Sequence, residues 1–105
     1  MNRVDLLKKA IELTSGDRDK EYGAPFDNLT DCANLWTAYL LSKYRGLTVD
    51  EEQFALTAED VAHLNVLQKM ARTFSGAPKP DTYTDGACYF AIAGECAALQ
   101  KEQSE

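Results

Sequence analysis

The sequence predicts an all-α fold in which four main helices form a bundle or two antiparallel helical hairpins. Apolar residues recur at the i, i+3, i+4, i+7 spacing of an amphipathic helix in four stretches. Glycine and proline separate these stretches, and none of them shows the apolar–polar alternation of a strand. With 105 residues, 45% hydrophobic and 27% charged, the composition is that of one soluble globular domain, 1–105, whose polar tail 101–105 we expect to fray.

The four helices are predicted from their boundary signals. The first covers 3–14, where Asn2 is suited to cap with Asp5 at the third helical position, and the second covers 28–44 after Asp27 as cap. The third opens with a Thr57 to Asp60 capping box and runs to 74, and the fourth runs from 81 or 82 to 100. The segment 47–56 fits either a loop or an extra helical turn.

The fourth helix is rich in alanine and glycine. Small side chains let helix backbones come together, so we expect close neighbours along this helix. Glycine costs about 1 kcal/mol relative to alanine inside a helix. We therefore expect Gly86 and Gly94 to lie where another group presses against the backbone.

The charge balance excludes two classes of partner. The chain has 11 Lys and Arg against 17 Asp and Glu, a net charge of -6, and no basic stripe. Because phosphate contacts dominate nucleic-acid affinity, direct nucleic-acid binding and adhesion to anionic membranes are not expected. No apolar run approaches the ~20 residues that span a bilayer. The N-terminus lacks a signal peptide's apolar core, and three cysteines do not make a disulfide framework, so we expect a cytoplasmic protein with reduced thiols.

The small size of the chain favours a homo-oligomer. A domain of this length buries roughly two thirds of its unfolded surface, which leaves little for a deep pocket within one copy. A site built between subunits is therefore expected.

The first candidate site is the polar loop 16–25. Its ordinary role is a solvated linker, with Gly23 at positive φ and Pro25 preventing backward extension of the next helix. Alternatively, Arg18 binds an anion and Tyr22 stacks on a planar ring.

The second candidate is a polar face of the third helix. Asn65, Gln68, Lys69 and Arg72 share this face because of their i, i+3, i+4, i+7 spacing. The face either meets solvent or forms a ligand site. In a ligand site, Lys69 and Arg72 would bind phosphate or carboxylate, and Asn65 or Gln68 would hydrogen-bond a base or sugar edge.

The third candidate is the start of the fourth helix. Asp81 and Asp85 share a face, with Tyr89 one turn further along, although either aspartate can serve the helix terminus instead. Two helices joined by a short turn should pack antiparallel, which brings Lys69 and Arg72 near these aspartates. The cluster is then either a salt-bridge clasp or a site that holds a metal ion and a phosphate together.

Few residue patterns elsewhere in the sequence are typical of a metal site. A single histidine, His63, excludes a multi-histidine zinc site, and there is no Cys-x-x-Cys pair and no glycine-rich phosphate loop.

Several motifs in fixed order link the chain to a known family. They are Gly16-Asp17-Arg18-x-x-x-Tyr22-Gly23-x-Pro25-x-x-Asn28, Leu35-Trp36-x-Ala38-Tyr39-Leu40, Leu56-Thr57-Ala58-Glu59-Asp60-Val61-Ala62, Lys69-x-x-Arg72 and Asp81-x-x-x-Asp85-x-x-x-Tyr89. Across roughly residues 5–98 this set resembles a family of small phage and prophage proteins of uncharacterised function. The chain departs from the family pattern by an apparent insertion at 43–54 and by Cys88 in place of a small residue.

That family is in turn similar to MazG-like nucleotide pyrophosphohydrolases, in helical layout and in the acidic pair that opens the last helix. Those enzymes hold Mg²⁺ with Glu-x-x-Glu and Glu-x-x-Asp pairs, since Mg²⁺ prefers hard oxygen ligands. In this chain Glu-x-x-Glu occurs only in the tail. If the chain is an enzyme, the resemblance implies that Asp81 and Asp85, with Asp60 or Asp31, hold Mg²⁺.

Two functions stay open at this stage. In the first, a phage-type accessory protein binds a nucleotide or related phosphate ligand, with or without Mg²⁺-dependent pyrophosphohydrolysis, in the host-cell cytoplasm if phage-encoded. In the second, a non-catalytic protein sequesters a nucleotide signal or inhibits a host protein through its acidic surface. The ligand-binding residues expected in the first are Arg18, Tyr22, Asn65, Lys69, Arg72 and Tyr89, with Trp36 as a further stacking residue.

Overall fold

The computed structural model describes residues 1–16, 23–46 and 50–104. Within these ranges the chain forms helices without strands, which confirms the all-α class. A 3-10 turn, Arg72–Phe74, follows the helix that ends at Ala71. The α-helices are α1 (Arg3–Thr14), α2 (Pro25–Lys43), α3 (Glu51–Phe54), α4 (Ala58–Ala71) and α5 (Pro80–Ser104).

The predicted caps at the starts of α1 and α4 are confirmed. The Asn2 side chain accepts a hydrogen bond from the Asp5 backbone N–H at 2.9 Å. Thr57 and Asp60 form the reciprocal capping box, in which each side chain accepts from the other residue's backbone N–H. In the ambiguous segment, Asp50 caps the single turn α3 by accepting from the backbone of Glu52. Residues 47–49 lie outside the described residues.

Two helix boundaries differ from the prediction. Helix α2 starts at Pro25, because proline's missing N–H and fixed φ suit the first helical position. Asp27 consequently lies in the first turn and is not the cap. Helix α5 runs from Pro80 to Ser104 and thus extends past the predicted end at residue 100. Its Lys, Glu and Gln residues are good helix formers, which accounts for the extension.

A central antiparallel hairpin of α4 and α5 organises the fold. The Glu59 backbone N–H, near the start of α4, donates to Oε1 of Gln100 near the end of α5 at 3.0 Å. Helix α1 packs against α5, and α2 packs against α4 with fewer contacts to α5. The Cys88 thiol donates to the Ala10 carbonyl across the α1–α5 contact at 3.4 Å. The two outer helices therefore cover one side of the hairpin.

Small side chains fill the interior between these helices, as the sequence of α5 predicted. The buried residues are Ala10, Ala33, Ala58, Val61, Ala62, Thr84, Ala93 and Cys96. A Cβ built on Gly86 would lie 3.8 Å from Cβ of Lys69, which places Gly86 against a neighbouring helix. The same expectation for Gly94 is wrong, because nothing lies within 4 Å of a Cβ built there.

The opposite side of the hairpin carries large apolar side chains without a cover. We call it the outer hairpin face and define it by Leu67, Met70, Tyr83 and Phe90, with exposed fractions of 56%, 51%, 42% and 64%. No helix among the described residues is long and apolar enough to cross a membrane. The outer hairpin face is an exposed apolar surface of the hairpin.

Candidate functional site

A groove opens where α2, α4 and α5 meet, on the covered side of the hairpin. It has a cavity volume of about 360 Å³. Asn65 of α4 and Tyr89 of α5 contribute polar atoms, and Trp36 of α2 contributes an indole that is 39% exposed. The other lining residues are Gly23, Pro25, Asn28, Leu29, Cys32, Val61 and Ile92.

A second, smaller hollow adjoins the groove at the end of α1. Its volume is about 160 Å³, and it shares Pro25, Tyr89 and Ile92 with the groove. Asp85 and Cys88 line it from α5, and Leu13 and Thr14 line it from α1. Together the two cavities fall within the range of small-molecule sites, which are ~300–1,000 Å³. Three helices and the end of a fourth thus converge on one concave surface.

Helical geometry explains which predicted residues meet there. Asn65 lies one turn after the buried Val61 on α4, so both face α2. Tyr89 and Ile92, three residues apart on α5, face the same way. Trp36 lies two turns after Leu29 on α2 and lines the opposite wall. The structure therefore brings Asn65, Tyr89 and Trp36 together, as the sequence-based hypothesis requires.

Lys69 and Asp85 also meet, as the predicted antiparallel packing implies. Nζ of Lys69 lies 3.1 Å from Oδ2 of Asp85, and their side chains are 14% and 34% exposed. Asp85 lines the small hollow, whereas Lys69 lies on the side of the hairpin that carries the outer hairpin face. The ion pair thus spans the hairpin, and the Lys69 charge is already neutralised by a carboxylate.

Arg72 does not join the groove. It lies at the end of α4, where it lines a separate cavity of about 470 Å³ at the α4–α5 turn, together with Lys79 and Tyr83. Seven residues of helix advance about 10 Å along the axis, so Asn65 and Arg72 share a helix face but have different neighbours. The sequence-based grouping of Asn65, Lys69 and Arg72 in one site therefore does not match the geometry.

Three of the four aspartates expected to hold a metal ion, Asp60, Asp81 and Asp85, have separate surroundings. Asp60 caps α4 through the Thr57 backbone N–H, and Asp85 pairs with Lys69. Asp81 lies exposed in the first turn of α5. Within residues 1–16, 23–46 and 50–104, no three acidic, histidine or cysteine side chains could hold a metal ion together. In this part of the chain the expected aspartates therefore do not gather into one carboxylate cluster.

Arg18 and Tyr22 lie outside the described residues, so their proposed roles stay predictions. Gly23, the first described residue after them, has φ of 81° and lines the groove. The positive φ at Gly23 confirms the conformation expected from the loop sequence.

Asn28 of α2 was not expected as a site residue, but it lines the groove. The motif Gly23-x-Pro25-x-x-Asn28 already contains this residue and could have indicated it as a site residue. The prediction assigned residue 28 to the helix start, whereas α2 begins three residues earlier. Asn28 therefore lies one turn inside the helix, facing the cavity.

The cysteines are free thiols. Burial raises the pKa of the Cys32 thiol, which lines the groove. Burial, with a smaller effect from the Glu95 and Glu59 carboxylates, also raises the pKa of the Cys96 thiol. Both therefore favour the neutral thiol, which is a poor nucleophile.

The fold and the groove define an all-α domain built on a central helical hairpin, with a ligand-sized cavity between three helices. The chain belongs to the family described as Domain of unknown function (DUF6378), whose model matches residues 5–97. The expected membership in a family of uncharacterised function is thus confirmed.

Two curated relatives are phage proteins. The Gene 55 protein of Mycobacterium phage D29 is 33% identical over 84 residues, which cover 80% of this chain and 48% of that protein. The Gene 55 protein of Mycobacterium phage L5 is 33% identical over 100 residues, covering 95% of this chain and 53% of that protein. The chain thus spans about half the length of these relatives. No solved structure matches it.

Proposed function

We propose that the chain is a phage-type accessory protein whose groove binds a nucleotide, with the base between Trp36 and Tyr89. The supporting observation is the convergence of these two aromatic residues with Asn65 from three different helices on one cavity. A planar base can stack on either aromatic ring, and such stacking contributes about 1–3 kcal/mol per base. The amide of Asn65 can donate to and accept from the edge of a base or sugar.

The phosphate end requires positive charge. Lys69 is held by Asp85 and does not line the groove. Arg18, five residues before the groove-lining Gly23, is the residue we propose for the phosphate. An arginine suits this role because its guanidinium donates two parallel hydrogen bonds to a phosphate.

The described residues favour binding without turnover over MazG-like hydrolysis. Asp60 is engaged in a helix cap and Asp85 in an ion pair, and no three acidic, histidine or cysteine side chains of these residues cluster. We therefore assign no catalytic step to them. Sequestration of a nucleotide is the form of the proposed function that this donor set supports.

The single tryptophan of the chain provides the test. Each of the common nucleoside triphosphates is titrated into the purified protein while Trp36 fluorescence is recorded, with and without Mg²⁺. Stacking on the indole should quench its emission. Tyr89→Ala should weaken binding about 5- to 150-fold if Tyr89 stacks on the base. Tyr39→Ala is the matched control, because Tyr39 is 63% exposed on α2 and does not line the groove.

Chromatography of the bound nucleotide separates sequestration from hydrolysis. Recovery of intact nucleotide, with quenching that Tyr89→Ala weakens and Tyr39→Ala leaves unchanged, supports the proposal. Conversion to a monophosphate in the presence of Mg²⁺ would replace it with the pyrophosphohydrolase hypothesis. Absence of quenching and of a thermal shift with every nucleotide would reject nucleotide binding altogether.

A further inference from the structure

The single chain exposes far more surface than a compact protein of its mass. A folded monomer of 11.6 kDa is expected to expose about 5,800 Å², whereas this chain exposes 7935 Å². Its radius of gyration is 15.8 Å, against about 13 Å expected for a compact domain of this length. The excess of about 2,100 Å² is comparable to what one subunit buries in an obligate dimer.

The outer hairpin face holds a continuous part of this excess. From their exposed fractions, Leu67, Met70, Tyr83 and Phe90 expose about 450 Å². A standard interface buries about 800 Å² on each partner, so these four side chains supply the apolar centre of one.

The shape of this face is self-complementary. Phe90 protrudes with 64% of its surface exposed. Beside it lie two hollows of about 310 and 230 Å³, both lined by Val66, Met70 and Phe90. Gly86 and Ala87 lie in the floor of the larger hollow, where the absence of long side chains leaves room for a ring. A two-fold interface needs a projection and a recess on the same surface, and this face has both.

The charge of this face favours an identical copy over an oppositely charged partner. The chain carries a net charge of -6, yet two contacts between a basic and an acidic side chain lie beside this face. Lys69 pairs with Asp85 at 3.1 Å, and His63 lies 3.3 Å from Glu59. Arg72 and Lys79 line a cavity beside Tyr83, so charges of both signs border this face. Two copies can therefore meet here without a purely acidic contact, although each carries a net negative charge.

We infer that the outer hairpin face is a homodimer interface, in which Phe90 of each copy enters the hollow beside Gly86 of the other. The α4–α5 hairpins of two copies then form a four-helix core, with α1 and α2 of each copy outside it. The groove lies on the opposite side of the hairpin, so dimerisation leaves it open. This inference does not depend on the identity of any ligand.

Light scattering and sedimentation of the full chain test the inference. The wild type should have twice the 11.6 kDa mass of one chain. Phe90→Glu should raise the dimer dissociation constant at least ~100-fold, because a buried aromatic anchor is replaced by a charge in both copies. Ile11→Glu is the matched control, since Ile11 is also 64% exposed but lies on α1. Circular dichroism checks that each variant stays helical.

A monomeric wild type would overturn the inference, as would a Phe90→Glu variant that stays dimeric. Loss of the dimer in Ile11→Glu alone would place the interface on α1 instead. If Phe90→Glu fails to fold, a benzophenone analogue of phenylalanine at position 90 replaces it, because this side chain keeps an apolar ring. Photo-crosslinking to α4 or α5 of a second copy supports the inference. Crosslinking to α1 or α2, or no crosslinked dimer, overturns it.

Discussion

Lys69 and Asp85 join α4 to α5 through an ion pair of 3.1 Å whose lysine is largely buried. We expect a double-mutant cycle of Lys69→Met and Asp85→Asn to give a coupling free energy of about 1 kcal/mol in urea unfolding. Partial exposure of Asp85 keeps this below the values of fully buried pairs. The exposed Lys9–Glu12 pair, at 3.4 Å, is the control and should couple by no more than about 0.5 kcal/mol.

The cycle also separates a clasp from a ligand site. A structural clasp predicts coupled loss of stability in the absence of any ligand. Equal coupling in the Lys69–Asp85 and Lys9–Glu12 cycles would show that the pair adds nothing beyond a surface contact.

The Thr37 hydroxyl links α2 to the segment that leads into α4. It donates to the Ala33 carbonyl at 2.7 Å and accepts from the Leu56 backbone N–H at 2.9 Å. Thr37→Val should destabilise the fold by about 1–2 kcal/mol, because it leaves a part-buried N–H without its acceptor. Thr37→Ser should retain most of the stability.

Thr30 provides the control for that substitution. Its hydroxyl donates to the Phe26 carbonyl at 2.7 Å, a hydrogen bond that stays within α2. Thr30→Val should therefore cost less than about 0.5 kcal/mol. Thermal unfolding that ranks the two valine variants equally would contradict the role given to Thr37.

Asp60 should behave as a helix cap and not as a metal ligand. Asp60→Ala removes its hydrogen bond with the Thr57 backbone and should lower stability by about 1 kcal/mol. The loss should be equal in EDTA and in Mg²⁺. A Mg²⁺-dependent rise in the wild-type melting temperature that Asp60→Ala abolishes would restore the metal hypothesis.

Cys96 should resist alkylation in the folded protein. It is fully buried, and burial raises its pKa above the ordinary thiol value of 9.0. At neutral pH the thiolate fraction is therefore reduced, and reagent access requires opening of α5. Mass spectrometry after iodoacetamide treatment should find Cys96 modified only in urea. Modification in buffer, as fast as in urea, would show that α5 is not packed there.

The same shift has a consequence for stability. The folded-state pKa of the Cys96 thiol exceeds the unfolded one. The contribution of this shift to the free energy of unfolding is therefore fully present below the ordinary thiol pKa. The contribution is lost as the pH rises through the raised value. Urea unfolding at increasing alkaline pH should show the wild type losing stability faster than Cys96→Ala.

Helix starts governed by local chemistry could be predicted from the sequence. Asn2 and the Thr57–Asp60 box lie within three residues of the groups they bind, so the pattern alone identifies them. The start of α2 could not be placed in this way, because Pro25 is compatible both with a turn and with the first helical position. Tertiary packing selects between these two.

The candidate site was predictable in part for a similar reason. Helical spacing places Asn65 and Lys69 on one face, but it does not say which helix each residue meets. The Lys69–Asp85 contact followed from antiparallel packing across a short turn. The contribution of Asn28 and the separation of Arg72 depend on where α2 crosses α4 and where α4 ends. Those positions are properties of the packed structure.

The small size of the buried side chains limits which substitutions the interior accepts. The side chains of Ala33, Ala62 and Ala93 are single methyl groups, so shortening substitutions create little empty space. Each added methylene group, by contrast, must push two helix backbones apart. The inner faces of the helices therefore set an upper bound on residue size. Among members of the family, we expect glycine or serine at these positions far more often than leucine.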